Sequence, residues 1–207
     1  MAKATGPTYK LAFKRRRKNL TNYRKRLALL KSKVPRLIVR KSNKAVTVQC
    51  VGFTPTHDEV LTAANSKELA KYKWKSSANL PSAYLTGYLC GKRAAASGVK
   101  SVVLDSGLHT PIAGSFLFAA VKGAKDAGLE VPVGEIGFNE DRISGKHIAE
   151  YAKEIAGSEK YQKQFSQYIK AGIKPEQLDV LFNDIKKQIA SEAVVAKEKK
   201  EKKPKKQ

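Results

Sequence analysis

Acidic residues are scarce, and their placement says more than their number. The 207-residue chain has 18 Asp and Glu against 41 Lys and Arg, and no carboxylate side chain precedes Asp58. A net charge of +23 repels itself unless a polyanion neutralises it, and for a chain without membrane features that polyanion is nucleic acid. Cysteine is nearly missing too. Cys50 and Cys90 lie far apart with no CxxC, which argues against a disulfide framework or a zinc site and for two buried thiols in a reducing compartment. The three histidines, His57, His109 and His147, are scattered and form no HExxH, so each reads as a loop or surface residue rather than a metal ligand. No apolar run approaches the ~20 residues of a membrane span. Residues 2 to 18 are polar and basic, with neither a secretory apolar segment nor the amphipathic stripe of a mitochondrial presequence. There is no GxGxxG. The stretch GYLCGKR, residues 87 to 93, resembles a phosphate loop, but it is one residue short, lacks a Ser or Thr after Lys92 and sits within a helix.

What is present is segregated charge. Residues 1 to 57 carry 16 basic side chains, and FKRRRKNLTNYRKR at 13 to 26 holds eight of them. Residues 197 to 206 hold seven Lys against two Glu, whereas Asp58 to Ala196 has 18 basic and 16 acidic residues, a net of +2. A nearly neutral body thus bears a basic N-terminal quarter and a basic tail, and an ordinary solvated surface would mix the two signs throughout.

The pattern along the chain predicts an α/β (α+β) fold, a small mixed β-sheet packed with helices. Residues 1 to 19 show no periodicity and read as an extended arm. Leu20, Tyr23, Leu27 and Leu30 then recur at helical spacing, and the first three are expected to pin a basic helix to the core. Apolar runs at 37–39 and 46–51 flank Ser42-Asn43-Lys44, a hairpin turn with Arg36, Arg40, Lys41 and Lys44 at its ends and tip. A third strand is expected at Glu59 to Ala64, then a short helix capped by Ser66. Asn79, Pro81 and Gly98 bound a helix whose small residues Gly87, Gly91, Ala94 and Ala95 should let it approach a sheet closely. A buried strand at 101–105, a helix at about 115–127 stopped by Gly128, and an extended segment at 129–138 complete a strand–helix–strand unit. Three solvent-exposed amphipathic helices are expected at about 145–156, 158–171 and 176–196. The divisions are therefore 1–34, basic arm and helix; 35–144, α/β core; 145–196, helical C-terminal extension; and 197–207, a disordered basic tail.

An enzyme can be drawn from the acids. Asp105 ends a buried strand, and Glu135, Glu140 and Asp141 lie near the end of the next element, so two or three of them, Asp105 and Glu135 first, could hold Mg²⁺ in a metal-dependent nuclease. Asp105-Ser106-Gly107 is equally a turn, and the basic arm speaks more strongly for binding. Tyr9, Phe13 and Tyr23 can stack on unpaired bases, Asn22 can bond base edges or 2′-hydroxyls, and arginine planes suit folded RNA. A general basic compactor of nucleic acid is a third possibility.

Several blocks then occur in a recognisable order: RLIVRKSNK at 36–44, N-x-x-x-A-Y-L-x-G from Asn79 to Gly87, VVLDSGL at 102–108, AAVKGAKDAGL at 119–129 and EDRISGKHIAEYA at 140–152. Together they resemble the universal large-subunit ribosomal protein family that binds 5S rRNA, in its archaeal form. The resemblance implies a ribonuclease-H-like motif variant without nuclease activity, no cofactor, no metal and no small-molecule substrate. It implies a structural constituent of the cytoplasmic ribosome that holds 5S rRNA in the central protuberance, with large-subunit rRNA and neighbouring large-subunit proteins as further partners. The RNA-contacting positions carried over are Lys14, Arg15, Arg16, Arg17, Asn22, Tyr23, Arg24, Arg26, Arg36, Arg40, Lys41, Ser42, Asn43 and Lys44. Tyr9 joins them from its place in the arm. The family usually has an arginine just after the glycine matching Gly114. Here Ser115 and Phe116 follow, leaving Ser115 and the helix-start N–H groups to meet a phosphate.

Overall fold

In strand Arg36–Lys41, Leu37 and Val39 point to one side of the sheet and are buried, while Arg36, Ile38 and Arg40 point to the other. The two faces of this strand divide the molecule into a packed side and a charged side. The computed structural model describes residues 6–134, 137 and 139–191. Helical turns at Lys14–Arg17 (α1) and Tyr23–Leu30 (α2) precede Arg36–Lys41 (β1), Val46–Phe53 (β2) and Asp58–Asn65 (β3). The arm is therefore not extended throughout, because α1 interrupts it and Asn19 then reverses the chain at a positive φ of 51°.

Strands β1 and β2 form the expected antiparallel hairpin, its turn held by the Ser42 N–H to the Ala45 carbonyl (2.8 Å) and by the Ser42 hydroxyl. Val46, Val48 and Cys50 face the core, and β3 completes a meander. A 3₁₀ segment, Ser66–Tyr72, follows. Its cap is Asn65 rather than Ser66, in a reciprocal capping box with Glu68. Ser66 instead turns inward and accepts from the Val46 N–H. Helix Leu80–Ala96 (α3), capped by Asn79, crosses over to Val103–Asp105 (β4), which pairs parallel to β1. The sheet order is β3-β2-β1-β4, three antiparallel strands and one parallel, so the mixed α/β class stands.

Helix Phe116–Asp126 (α4) packs on α3. Gly87 and Gly91 face this helix rather than a sheet: a Cβ on Gly91 would come within 2.6 Å of the Ala127 Cβ, and one on Gly87 within 2.8 Å of the Ala120 Cα. Gly123 returns the fit, since a Cβ there would lie 2.9 Å from the Tyr88 N. Ala95, expected on this seam, is exposed.

Four helices follow: Glu140–Ser144 (α5), Lys146–Glu154 (α6), Glu159–Lys170 (α7) and Leu178–Ser191 (α8). Of these α7 buries only Phe165, which packs on Tyr151 and Tyr161. The expectation of exposure fails for α8. Leu178, Phe182, Ile185 and Ile189, at spacings of three and four, enter the same apolar cluster as Leu37, Val48, Leu85 and Leu117. Phe182 meets the rings of Tyr84 and Trp74 there. Cys50 and Cys90 are both buried and unpaired, their sulfurs 4.0 Å apart. Residues 192 to 207, including the basic tail, lie outside the described residues.

Candidate nucleic-acid interface

Five charged residues from four segments alternate in sign across the charged side. Arg26 on α2 donates to Asp58 Oδ1 (2.7 Å), and Arg36 Nη2 lies 2.9 Å from Asp58 Oδ2 without hydrogen-bond alignment. The Nη1 of Arg36 donates to Asp105 Oδ2 (2.9 Å), and Arg40 Nη2 donates to Asp105 Oδ1 (3.0 Å). Gly107 N–H also donates to Asp105 Oδ1, while Arg40 Nη1 donates to the Asp105 carbonyl. Asp58, the first acid after 57 residues without one, thus ties the basic helix to the sheet, and Asp105 ties two strands.

This arrangement changes two expectations. Arg36 is only 1% exposed, so the fold holds its charge between two carboxylates instead of presenting it at the surface. A guanidinium survives such burial only beside carboxylates. As for the nuclease, an Asp105 held by two guanidiniums would have to give them up to take a metal. Among the described residues no three His, Cys, Asp or Glu form a metal-holding group, and Glu135 lies outside them.

Above the ladder, α2 and the β1–β4 edge enclose a cleft of about 670 Å³. Asn22 caps α2 through its side-chain oxygen, which accepts from Lys25 N–H. The helix turns Tyr23 and Arg26 inward; Leu20 and Leu27, expected to pin it, are 55% and 59% exposed. Apolar spacing had identified the helix, but the Arg26–Asp58 pair sets its rotation. Phe13 leans on the Tyr23 ring (centroids 5.1 Å), and Arg15 Nε donates to the Thr21 hydroxyl, so the arm folds back on α2. Tyr9, Lys14, Arg16, Arg17 and Arg24 face solvent.

A second group gathers at the hairpin tip, where Lys41, Ser42, Asn43 and Lys44 are exposed. Lys41 Nζ stands 5.3 Å from the Phe116 ring, bringing the tip against the start of α4. Ser115 caps that helix by backbone position only; its hydroxyl is buried and has no hydrogen-bond partner among the described residues. Residues the sequence reading passed over are Thr21, Lys25, Asp58 and the Ser106–Leu108 loop, all on the cleft wall. The isolated position of Asp58 among cations was the available signal for its pairing.

The hydrogen bond from Arg26, with Arg36 behind it, holds the Asp58 carboxyl below its ordinary value. A depressed carboxyl adds stability that is present above its unfolded-state pKa, about 3.9, and is lost as pH falls through the lower folded value. Wild type should therefore exceed Asp58→Asn in thermal stability near neutral pH, the two converging as the pH drops below about 4. A constant difference down to acid pH would show that charge at Asp58 is not what holds α2.

Comparison with known proteins now bears on this geometry. Residues 7–100 match the family described as ribosomal large subunit proteins 60S L5 and 50S L18. The large ribosomal subunit protein uL18 of Ignicoccus hospitalis is 47% identical over 190 residues, covering 90% of this chain and 93% of that protein. Its counterpart from Sulfurisphaera tokodaii is 45% identical over 192 residues, covering 91% and 98%. These comparisons define the class as large-subunit ribosomal proteins. Likeness of this extent along nearly the whole chain makes the family certain: the chain belongs to uL18.

Proposed function

We propose that this chain binds 5S rRNA and helps attach it to the large subunit in the central protuberance of the cytoplasmic ribosome. Large-subunit rRNA and neighbouring large-subunit proteins are its other partners. The observation that carries the reading is the segregation of charge together with its placement. The fold consumes Arg26 and Arg36 internally, yet leaves Lys14, Arg16, Arg17, Arg24, Lys41 and Lys44 exposed. In this reading residues 1–34 are the RNA-following arm and 35–144 the core that holds it. Residues 145–196 are the extension and 197–207 a second basic segment.

The contacts divide by chemistry. Exposed lysines and arginines neutralise phosphates; Tyr9, Tyr23, Asn22, Ser42 and Asn43 reach bases or sugars; Arg40, 42% exposed on its side chain, does both jobs of fold and contact. Ser115 has its hydroxyl inside, so only the backbone at the α4 start is left to serve an anion.

Neutralising Lys14, Arg16, Arg17 and Arg24 together should weaken 5S rRNA binding and flatten its salt dependence. The log–log slope should shrink by roughly 0.7–0.9 for each phosphate that no longer meets a cation. An unchanged slope would remove the arm from the interface. Equal affinity of wild type for 5S rRNA and random duplex DNA at moderate salt would instead make the chain a general compactor.

A further inference from the structure

The cleft between α2 and the β1–β4 edge is built from more than charge. Five cations and two carboxylates line it, a net of +3, and Arg15, Lys25 and Arg40 among them are solvent-accessible. Tyr23, Ile38, Leu104 and Leu108 supply apolar wall, with Leu108 56% exposed at the lip. Thr21, Ser106 and the backbone of Gly107 add hydrogen-bonding groups between the two. Arg36 also lines this cleft, and its buried Nε has no hydrogen-bond partner among the described residues. A volume of about 670 Å³ falls within the ~300–1,000 Å³ range of pockets that enclose small organic ligands.

We infer that this cleft receives one unpaired nucleotide of the bound RNA, an inference that rests on the RNA-binding reading above. A nucleotide matches both halves of the lining. Its base is a flat apolar surface with polar edges, suited to the Tyr23 ring and the leucine wall, and its phosphate is the counter-ion for Arg15, Lys25 and Arg40. Duplex RNA cannot enter, because its bases are stacked and its major groove is too narrow for side chains. Looped-out bases are what proteins read in RNA. The ladder beneath serves the site as well: Asp58 ties α2 to the sheet and Asp105 ties β4 to β1, so both walls of the cleft are fixed before RNA arrives.

The test fills the cleft without touching its charge. Ala28 lines it and is exposed, so Ala28→Trp occupies the space and leaves every cation in place. Binding of 5S rRNA by full-length Ala28→Trp should weaken roughly tenfold to a hundredfold, the scale of one missing base stack. The salt slope should stay at the wild-type value, since every phosphate keeps its cation. Leu108→Ala, at an exposed position that cannot unfold the chain, should weaken binding in the same sense. Wild-type protein with 4-thiouridine-substituted 5S rRNA should crosslink at Tyr23 or Leu108. If both variants bind within twofold of wild type and no crosslink maps to the cleft, the inference is overturned. In that case the arm quadruple variant separates the two ideas. Weakened binding by it leaves the 5S assignment standing, and unaltered binding removes that assignment as well. A cleft crosslink to a neighbouring ribosomal protein in assembled subunits, with none to RNA, would also overturn it.

Discussion

Asp105→Ala should cost the fold about 3–5 kcal/mol, the usual penalty for removing one partner of a buried ion pair. Arg36 would keep its burial and lose its only aligned carboxylate, with Asp58 left as an off-axis charge partner. Arg40 would lose its grip on the same group, and the Gly107 turn its acceptor. Urea denaturation of the variant measures the loss. The double variant Arg36→Met with Asp105→Leu supplies the control, because an apolar replacement of both partners removes the stranded charge. It should recover much of what Asp105→Ala loses. A loss below about 1 kcal/mol for Asp105→Ala, the scale of an exposed pair, would mean that solvent reaches Arg36 and that the ladder is a surface feature.

A second large effect is expected at Gly87→Ala. The added Cβ would overlap the Ala120 carbonyl group, and a backbone cannot swing aside as a side chain does. The helices α3 and α4 would have to part, loosening Leu85, Leu89, Leu117 and Val121 at the centre of the core. About 3 kcal/mol is expected, the upper end of the ordinary overpacking range. Better helix propensity returns about 1 kcal/mol at most. Gly134→Ala, where an added Cβ meets nothing within 4 Å, should stay within about 0.5 kcal/mol of wild type. Equal effects at the two positions would refute the close helix packing.

Local signals were strong where one segment sufficed. Apolar runs at 37–39 and 46–51 identified the hairpin, and Ser42-Asn43-Lys44 its turn, because short apolar runs bounded by turn formers are a local strand signal. Asn79, Pro81 and Gly98 bounded α3 because caps satisfy backbone groups within a few residues. Signals failed where the partner was distant. The Gly87 and Gly91 seam announced a close approach but not that a helix, α4, would fill it. The stripe Leu20–Tyr23–Leu27 announced a helix, yet Leu20 and Leu27 face solvent. The amphipathic pattern of α8 is the same for a helix on the surface and for one sealing the core.

Composition alone determined that this chain meets a polyanion, since 16 cations without an acid in 57 residues cannot be neutralised from within that segment. The order of residues located the hairpin and the acid-free arm. Only the tertiary structure decided which of those cations stay exposed and which are paired. Arg26 pairs with an acid 32 positions away, and Arg36 with one 69 positions away. Such pairs exist because the β1–β2–β3 meander carries Asp58 back to the base of α2, and the α3 crossover lays β4 beside β1. Charge density belongs to the local sequence; charge availability is settled by what the folded chain brings within 3 Å.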